Sequence, residues 1–211
     1  MSIVTYNNRS IANISAIPGA AKALTHIKTL TASSSSTLTF VDGSSDVVLD
    51  STYPVYMFKF INMHPASNGV FFEFNLSTDS GSNYNVTKTS TSFEAIQNES
   101  GASTSLRYAT SNDLAQSTSN QRLTDYLPSN SGEDDMCATG ELYLFNPSST
   151  TFVKHFISTV QSNGDGTSIY SWVSHNAGYG NTTSAVDAVK FQMSSGNIDA
   201  GTIKLYGLKD S

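Results

Sequence analysis

The chain has 211 residues, of which only 13% are charged, and its 17 acidic and 11 basic side chains give a net charge of −6. This length fits one domain with a sizeable core. We expect residues 1–22 to form an N-terminal arm and residues 23–211 to form one β-sandwich domain. The acidic balance and the lack of a basic patch among the aromatic residues exclude functions that depend on neutralising nucleic-acid phosphates.

Serine, threonine and asparagine are used heavily throughout the sequence. They predict a neutral, hydroxyl-rich surface, which costs less to desolvate than a charged one. Such a surface can pack against identical neighbours or against sugars without stranding ions. The composition therefore favours assembly or adhesion over electrostatic capture.

The first residues, MSIVTYNNRSIANISAIPGAAKAL, lack a basic start followed by an uninterrupted apolar run, so we expect no signal peptide. No later run approaches the ~20 apolar residues of a membrane-spanning helix, and we expect no membrane insertion. The protein is expected to be made in a cytoplasm.

The N-terminal segment differs from the rest because its apolar residues are spaced too irregularly for a strand or a helix, and Pro18 with Gly19 ends it. Two interpretations stay open: a loosely packed strap, or a docking arm whose isoleucines are covered by a neighbouring subunit. The arm residues in question are Ile3, Ile11, Ile14 and Ile17.

Strand patterns dominate from about residue 25 onwards. YPVYMFKFINM and VFFEFNLST both alternate with period two, and the turn residues of His64–Gly69 between them predict a hairpin or a loop-linked strand pair. Further alternating segments, GELYLFN, TTFVKHFISTV, SIYSWVSH and VDAVKFQMS, are separated by turns rich in Gly, Asn and Ser. We expect eight to ten strands in an all-β, antiparallel, jelly-roll-like sandwich.

Helix is predicted only weakly, at Ser119–Leu127 and at Ala20–Ile27. The last segment, GNIDAGTIKLYGLKDS, predicts a turn bracketed by Gly196 and Gly201 and then a closing strand with Ile203 and Leu205 on one face. That strand is expected to tie the C-terminal end into the sheet.

No catalytic constellation is found, and we expect a non-enzymatic protein without a cofactor or a metal. The four histidines lack partners at metal-binding or catalytic spacing, and His155 is interpreted as a packed or edge residue. Cys137 is interpreted as a small half-buried apolar residue. The acidic loop residues Glu133–Asp135 and Asp165 are interpreted as solvated charge, with calcium binding as the alternative. Glu73 is expected to face water or a subunit interface.

Three aromatic residues are candidates for a ligand or an interface. Tyr170 and Trp172 lie two apart on one strand face, and core packing is the favoured interpretation for Trp172. Tyr179 stands between Gly178 and Gly180, which predicts a turn that presents the ring for sugar stacking or for an interface.

Parts of the sequence resemble virion-associated proteins of tailed bacteriophages. The resemblance rests on LFNPSSTTFVKHFIS, on the last third GYGNTTSAVDAVKFQMSSGNIDAGTIKLYGLKDS, and on NVTKTSTSFEAI with RYATSNDLAQST. Members carry an N-terminal segment and an all-β domain that closes with a strand of the form G-x-I-x-x-G-x-I-x-L-Y-G, here Gly196–Gly207.

The resemblance implies a structural or tail-fibre-like role in the phage particle, reached without a signal peptide after synthesis in the bacterial cytoplasm. It implies other virion proteins as partners and a homotrimer, the common state of fibres and decoration proteins. A receptor-binding tail protein is the leading hypothesis, with host surface polysaccharide as a possible ligand. The alternatives are a capsid decoration (cement) protein, a carbohydrate-binding module and, least favoured, a polysaccharide-degrading enzyme.

Overall fold

The computed structural model describes residues 24–129, 135–164 and 169–209, so the predicted arm with its four isoleucines lies outside the described residues. Twelve strands and no helix occur within these ranges, more strands than the eight to ten predicted. They are β1 Leu24–Thr31, β2 Leu38–Val41, β3 Val55–Pro65, β4 Phe72–Ser77, β5 Lys88–Asn98, β6 Thr104–Tyr108, β7 Gln121–Arg122, β8 Ala138–Phe145, β9 Lys154–Asn163, β10 Tyr170–Gly180, β11 Ala188–Met193 and β12 Ile198–Leu208.

The strands form two antiparallel sheets that pack as a sandwich, which confirms the predicted all-β class. The larger sheet has eight strands in the order β1-β12-β3-β8-β9-β10-β5-β6, and the smaller has four in the order β2-β11-β4-β7. The jelly-roll topology stays a prediction. Across the described ranges there is no apolar helix of the length that a membrane crossing requires.

The apolar core is centred on Phe191 of β11, which is fully buried. Its ring centroid lies 5.2–6.3 Å from those of five other phenylalanines contributed by both sheets. Edge-on and tilted contacts of this kind add to the free energy gained from removing the rings from water. The five neighbours are Phe40, Phe58, Phe60, Phe72 and Phe74.

The predicted hairpin between the segments 53–63 and 70–78 is wrong, although both segments do form strands. β3 pairs with β12 and β8 in the larger sheet, whereas β4 pairs with β11 and β7 in the smaller one. The connection crosses from one sheet to the other because both strands bury phenylalanines that meet in the core. Phe60 and Phe72 stand edge to face there, 5.1 Å apart.

Both helix predictions are also wrong. Leu24 onwards forms β1, and Gln121–Arg122 within the second segment forms β7. Leu123 and Leu127 are four residues apart, which imitates a helical stripe. Their backbone N–H groups instead donate to the carbonyls of Phe72 and Val70, at 2.8 and 2.9 Å.

The closing strand is present, with Ile203 and Leu205 fully buried as predicted. The bracketed turn is wrong in one respect, because β12 already begins at Ile198. Gly201 lies inside the strand, where the register against β3 shifts. Its φ of +123° and a Cβ position 2.7 Å from the Asn62 carbonyl explain the glycine there.

Candidate functional site

The larger sheet has one face packed on the smaller sheet; we call the opposite face the outer face. Exposed apolar side chains concentrate there, since six of the eight large exposed hydrophobic residues among those described point outwards from this sheet. Three of them, Phe93, Leu106 and Tyr108, adjoin one another on β5 and β6, and contiguous apolar exposure of this kind marks an interaction surface. The six residues are Leu24, Ile61, Phe93, Leu106, Tyr108 and Ile157.

One row of side chains crosses the whole outer face in register. The β10 member, His175, lies 4.8 Å from the Phe93 ring, and its Nδ1 is 2.9 Å from the hydroxyl oxygen of Thr159. The row is aromatic at the β6 end, then has one hydroxyl and three charged residues, and ends with a second hydroxyl on β1. From β6 to β1 it consists of Tyr108, Phe93, His175, Thr159, Glu141, Lys59, Lys204 and Thr29.

A depression of about 610 Å³ opens on the outer face beside this row. Its base is the small Ala177 of β10, and larger rings stand around it, including those of His155 and Tyr179 with centroids 6.1 Å apart. We call it the Tyr179 depression. It is lined by Phe145, His155, Phe156, Ile157, Ala177, Gly178 and Tyr179, none of them an acid, a lysine or an arginine.

The predicted turn around Tyr179 is wrong, because Tyr179 lies in β10 and pairs with Thr89 on one side and His155 on the other. The flanking glycines point into the sandwich instead. A Cβ on Gly178 would lie 2.5 Å from the Thr89 carbonyl and 2.8 Å from the Phe156 ring. These glycines make room for side chains beneath the strand, and Tyr179 is therefore held rigidly rather than on a mobile loop.

A rim of neutral hydrogen-bonding groups adjoins Tyr179. Thr89 is its partner on β5, and the Thr89 hydroxyl accepts a 2.7 Å hydrogen bond from the Gln116 side chain. The side-chain oxygen of Gln116 in turn accepts a 3.0 Å hydrogen bond from the side-chain amide of Asn181. Aromatic rings beside oriented amide and hydroxyl groups suit a ligand with one apolar face and several hydroxyls.

Tyr170 and Trp172 do not join Tyr179. They lie on the opposite, inward side of β10, with ring centroids 6.4 Å apart, and Trp172 is only 9% exposed. The guanidinium of Arg107 stands 5.1 Å from the Trp172 ring centroid, a cation–π distance. These two aromatic residues face the interior of the sandwich, whereas Tyr179 is on the outer face. The three sequence candidates therefore do not form one site.

His155 and Glu73 also depart from the sequence interpretation. His155 is exposed on the outer face of the central strand β9, neither packed nor at an edge. Glu73 is buried, since the segment after β6 covers it and the Asn120 amide donates a 3.1 Å hydrogen bond to it. That burial raises the pKa of its carboxyl group.

Glu73 belongs to a buried chain of side-chain hydrogen bonds. The ammonium of Lys88 donates to Asn75 at 2.6 Å, and the Asn75 amide donates to Asn120 at 3.0 Å. Asn120 then donates to the Glu73 carboxylate. Each amide is oriented with its oxygen towards the cation and its nitrogen towards the anion, so two neutral groups link charges that do not touch.

Two buried lysines lie on either side of Gly180, Lys88 on β5 and Lys154 on β9, each paired with it in register. Both are fully buried and donate mainly to carbonyl oxygens. Burial lowers the pKa of both ammonium groups, that of Lys88 to about 8. Sequence reasoning missed this pair. Lys88 alternates with Ser90 and Ser92, a pattern that indicates a solvent-facing side of the strand.

The remaining sequence candidates form no catalytic or metal-binding cluster within the described residues. Cys137 is half-buried, and burial raises the pKa of its thiol. It lines a second depression of about 450 Å³ that also includes His64 and Asp199. In the ranges the structure describes, no three His, Cys, Asp or Glu residues are placed to hold a metal ion. Glu133, Asp134 and Asp165 lie outside those ranges.

Comparison of the chain with protein-family models, with curated proteins and with solved structures finds no match.

Proposed function

We propose that the protein is a non-enzymatic structural component of a tailed-phage virion, displayed on the particle surface, where it mediates assembly and host adhesion in the manner of a tail-fibre or receptor-binding protein. The sequence resemblance suggests the particle. The observation that carries the adhesive role is the outer face, with its exposed apolar residues and the Tyr179 depression.

The ligand class that fits the Tyr179 depression is a neutral sugar of the host surface. Sugar rings present a face of C–H groups that packs on aromatic rings, and their hydroxyls bond to groups such as those of Thr89, Gln116 and Asn181. The depression lining has no acid, lysine or arginine, and the whole chain is acidic. Both features disfavour the binding of strongly anionic polysaccharides.

Adhesion is tested by measuring binding of the purified protein to host surface polysaccharide. Tyr179→Ala is expected to lower the affinity at least tenfold while the thermal melt stays close to that of the wild type. The matched control is Tyr206→Ala, which removes another ring from the outer face, beside His26 at the far end of the sheet. Equal losses in both variants would contradict a site at Tyr179, and release of oligosaccharides would contradict the non-enzymatic assignment.

The place in the particle is tested by locating the protein with labelled antibody on intact virions. Tail labelling is the expected result. One set of copies at each capsid lattice point would instead favour the decoration role.

The homotrimer is part of the proposal and would bring three outer faces together on one appendage, which strengthens weak sugar binding through multivalency. Deletion of residues 2–17 tests whether the arm assembles the trimer: loss of the trimer with an unchanged melt is expected.

A further inference from the structure

The edge strand β6 has features that none of the functions above uses. All five of its residues are exposed, and the Leu106 side chain is 77% exposed, the highest value among the large hydrophobic residues described. β6 pairs with β5 on one side only. Natural proteins usually protect such edges with lysine, proline, a bulge or a covering segment. β6, with the sequence TSLRY, has no lysine, no proline and no register shift, and its one charged residue, Arg107, is ion-paired with Glu94 and Asp125 of its own chain.

The free backbone groups of β6 follow from the bonds that flank it. The Asn98 N–H donates to the Ser103 carbonyl, and the Ala109 N–H donates to the Ser92 carbonyl. Hydrogen-bonded pairs alternate along an antiparallel ladder, so Ser105 and Arg107 direct their backbone groups towards β5. The residues that direct theirs away from the sheet, with no backbone partner in the part of the chain described, are Thr104, Leu106 and Tyr108.

We infer that this edge pairs with β6 of a second copy of the chain, antiparallel and about a two-fold axis at Leu106. In that register Thr104 faces Tyr108 of the second copy, and Leu106 faces its own equivalent. All three residues with outward backbone groups then meet residues of the same kind, and each such pair exchanges two backbone hydrogen bonds between the chains. The two eight-stranded sheets become one continuous sheet.

Side chains favour a second copy in this register. On the outer face, Leu106 and Tyr108 join Phe93, at 48% exposure, to form an apolar cluster that the axis doubles. On the other face Arg107 stands opposite Ser105 of the second copy, so the two arginines do not oppose each other. Each arginine charge is already compensated within its own chain by Glu94 and Asp125, at 3.0 Å. An axis one residue further along would place Arg107 against Arg107.

The test measures the mass of the full chain in solution by sedimentation, with Leu106→Lys as the first variant. Two lysines would then face each other across the axis, and the mass of the assembly is expected to fall to half. The fold should survive because the position is largely exposed. The matched control is Phe152→Lys, at a site 68% exposed in the turn before β9, which should keep the wild-type mass.

A charge pairing then tests the axis itself. Leu106→Glu alone is expected to behave like Leu106→Lys. Mixing the two variants is expected to restore the wild-type mass, because the introduced lysine of one chain would face the introduced glutamate of the other. Leu106→Pro gives a further check, because it removes the outward N–H together with the leucine side chain and leaves the ladder with β5 intact. The mass is expected to fall to half, as with Leu106→Lys.

A wild-type chain with an odd number of copies, a Leu106→Lys variant of unchanged mass, or a mixture that stays at half mass would each overturn the inference. None of these results depends on the sugar-binding measurement. Together with the homotrimer proposed above, which would form through other surfaces, the inference predicts a wild-type hexamer that Leu106→Lys converts to a trimer. A wild-type trimer would overturn the β6 pairing alone.

Discussion

Glu94 and Arg107 form an ion pair between β5 and β6, with 3.0 Å from Nε and from Nη2 of the arginine to Oε2 of the carboxylate. The carboxylate is fully buried and also accepts a 2.7 Å hydrogen bond from the Asn112 amide, whereas about half of the arginine side chain is exposed. The pair therefore fastens a largely exposed edge strand to the interior.

Arg107→Met is expected to lower the free energy of unfolding by roughly 3 kcal/mol, because it leaves a buried carboxylate without its cation. Glu94→Gln in the same chain should restore at least about 1 kcal/mol of that loss. Chemical denaturation of the two single variants and the double variant gives the coupling energy. Strictly additive losses would contradict the pairing.

Lys88→Met should change how stability depends on pH. The pKa of Lys88 is about 8 in the folded protein and 10.5 for an ordinary lysine. Between these values the unfolded chain binds more protons than the folded one, so the contribution of Lys88 to stability rises with pH. Wild-type protein should gain roughly 1–2 kcal/mol relative to the variant between about pH 8 and pH 10.

The tyrosines also ionise in this pH range. Their contribution cancels when the free energy of unfolding of the variant is subtracted from that of the wild type at each pH. Lys59→Met, which makes the same substitution at an exposed position of β3, serves as the matched control. A Lys88→Met profile that is parallel to that of the wild type would show that burial does not perturb this group.

Gly178→Ala is expected to destabilise the sandwich by about 2–4 kcal/mol, because the added methyl would meet the Thr89 carbonyl, the Ser90 side chain and the Phe156 ring at 2.5–2.8 Å. Gly101→Ala is the comparison, since its φ is +70° but no atom lies within 4 Å of the added methyl. A loss of only about 1 kcal/mol is expected there. Thermal melts of both variants decide whether crowding or backbone conformation dominates.

Phe191→Ala should cost roughly 3–5 kcal/mol, since it removes the ring that contacts five others in the core. Phe152→Ala, at an exposed ring, should change stability by less than about 0.5 kcal/mol. Equal losses of stability for the two variants in denaturation experiments would contradict the placement of Phe191 at the centre of the core.

The sequence predicted the β-sandwich and the faces of its aromatic strands, because Phe58, Phe60, Phe72 and Phe74 alternate with period two and do lie in the core. It could not predict which sheet each strand joins. That choice depends on pairing between distant residues, and no local pattern records it. The helix prediction for Ser119–Leu127 failed for the same reason, since the hydrogen-bond partners of Leu123 and Leu127 are on other segments.

The candidate site was only partly visible in the sequence. Tyr179 was singled out, but His155 and Phe145 beside it come from other strands. In β5 the usual pattern is reversed, with Lys88, Ser92 and Glu94 buried and Phe93 exposed. Asn75 accepts a hydrogen bond from Lys88 and Asn112 donates one to Glu94, and only the tertiary structure brings these partners together.

The position of β12 has a consequence for the order in which the chain folds. β1 has no strand partner other than β12 in the described residues, and the pair Thr31 and Thr202 is 171 residues apart in sequence. Closing so long a loop is slow, whereas β8, β9 and β10 are neighbours both in sequence and in the sheet. We therefore expect the central β8–β10 meander to gain amide protection first during refolding, and β1 to gain it last.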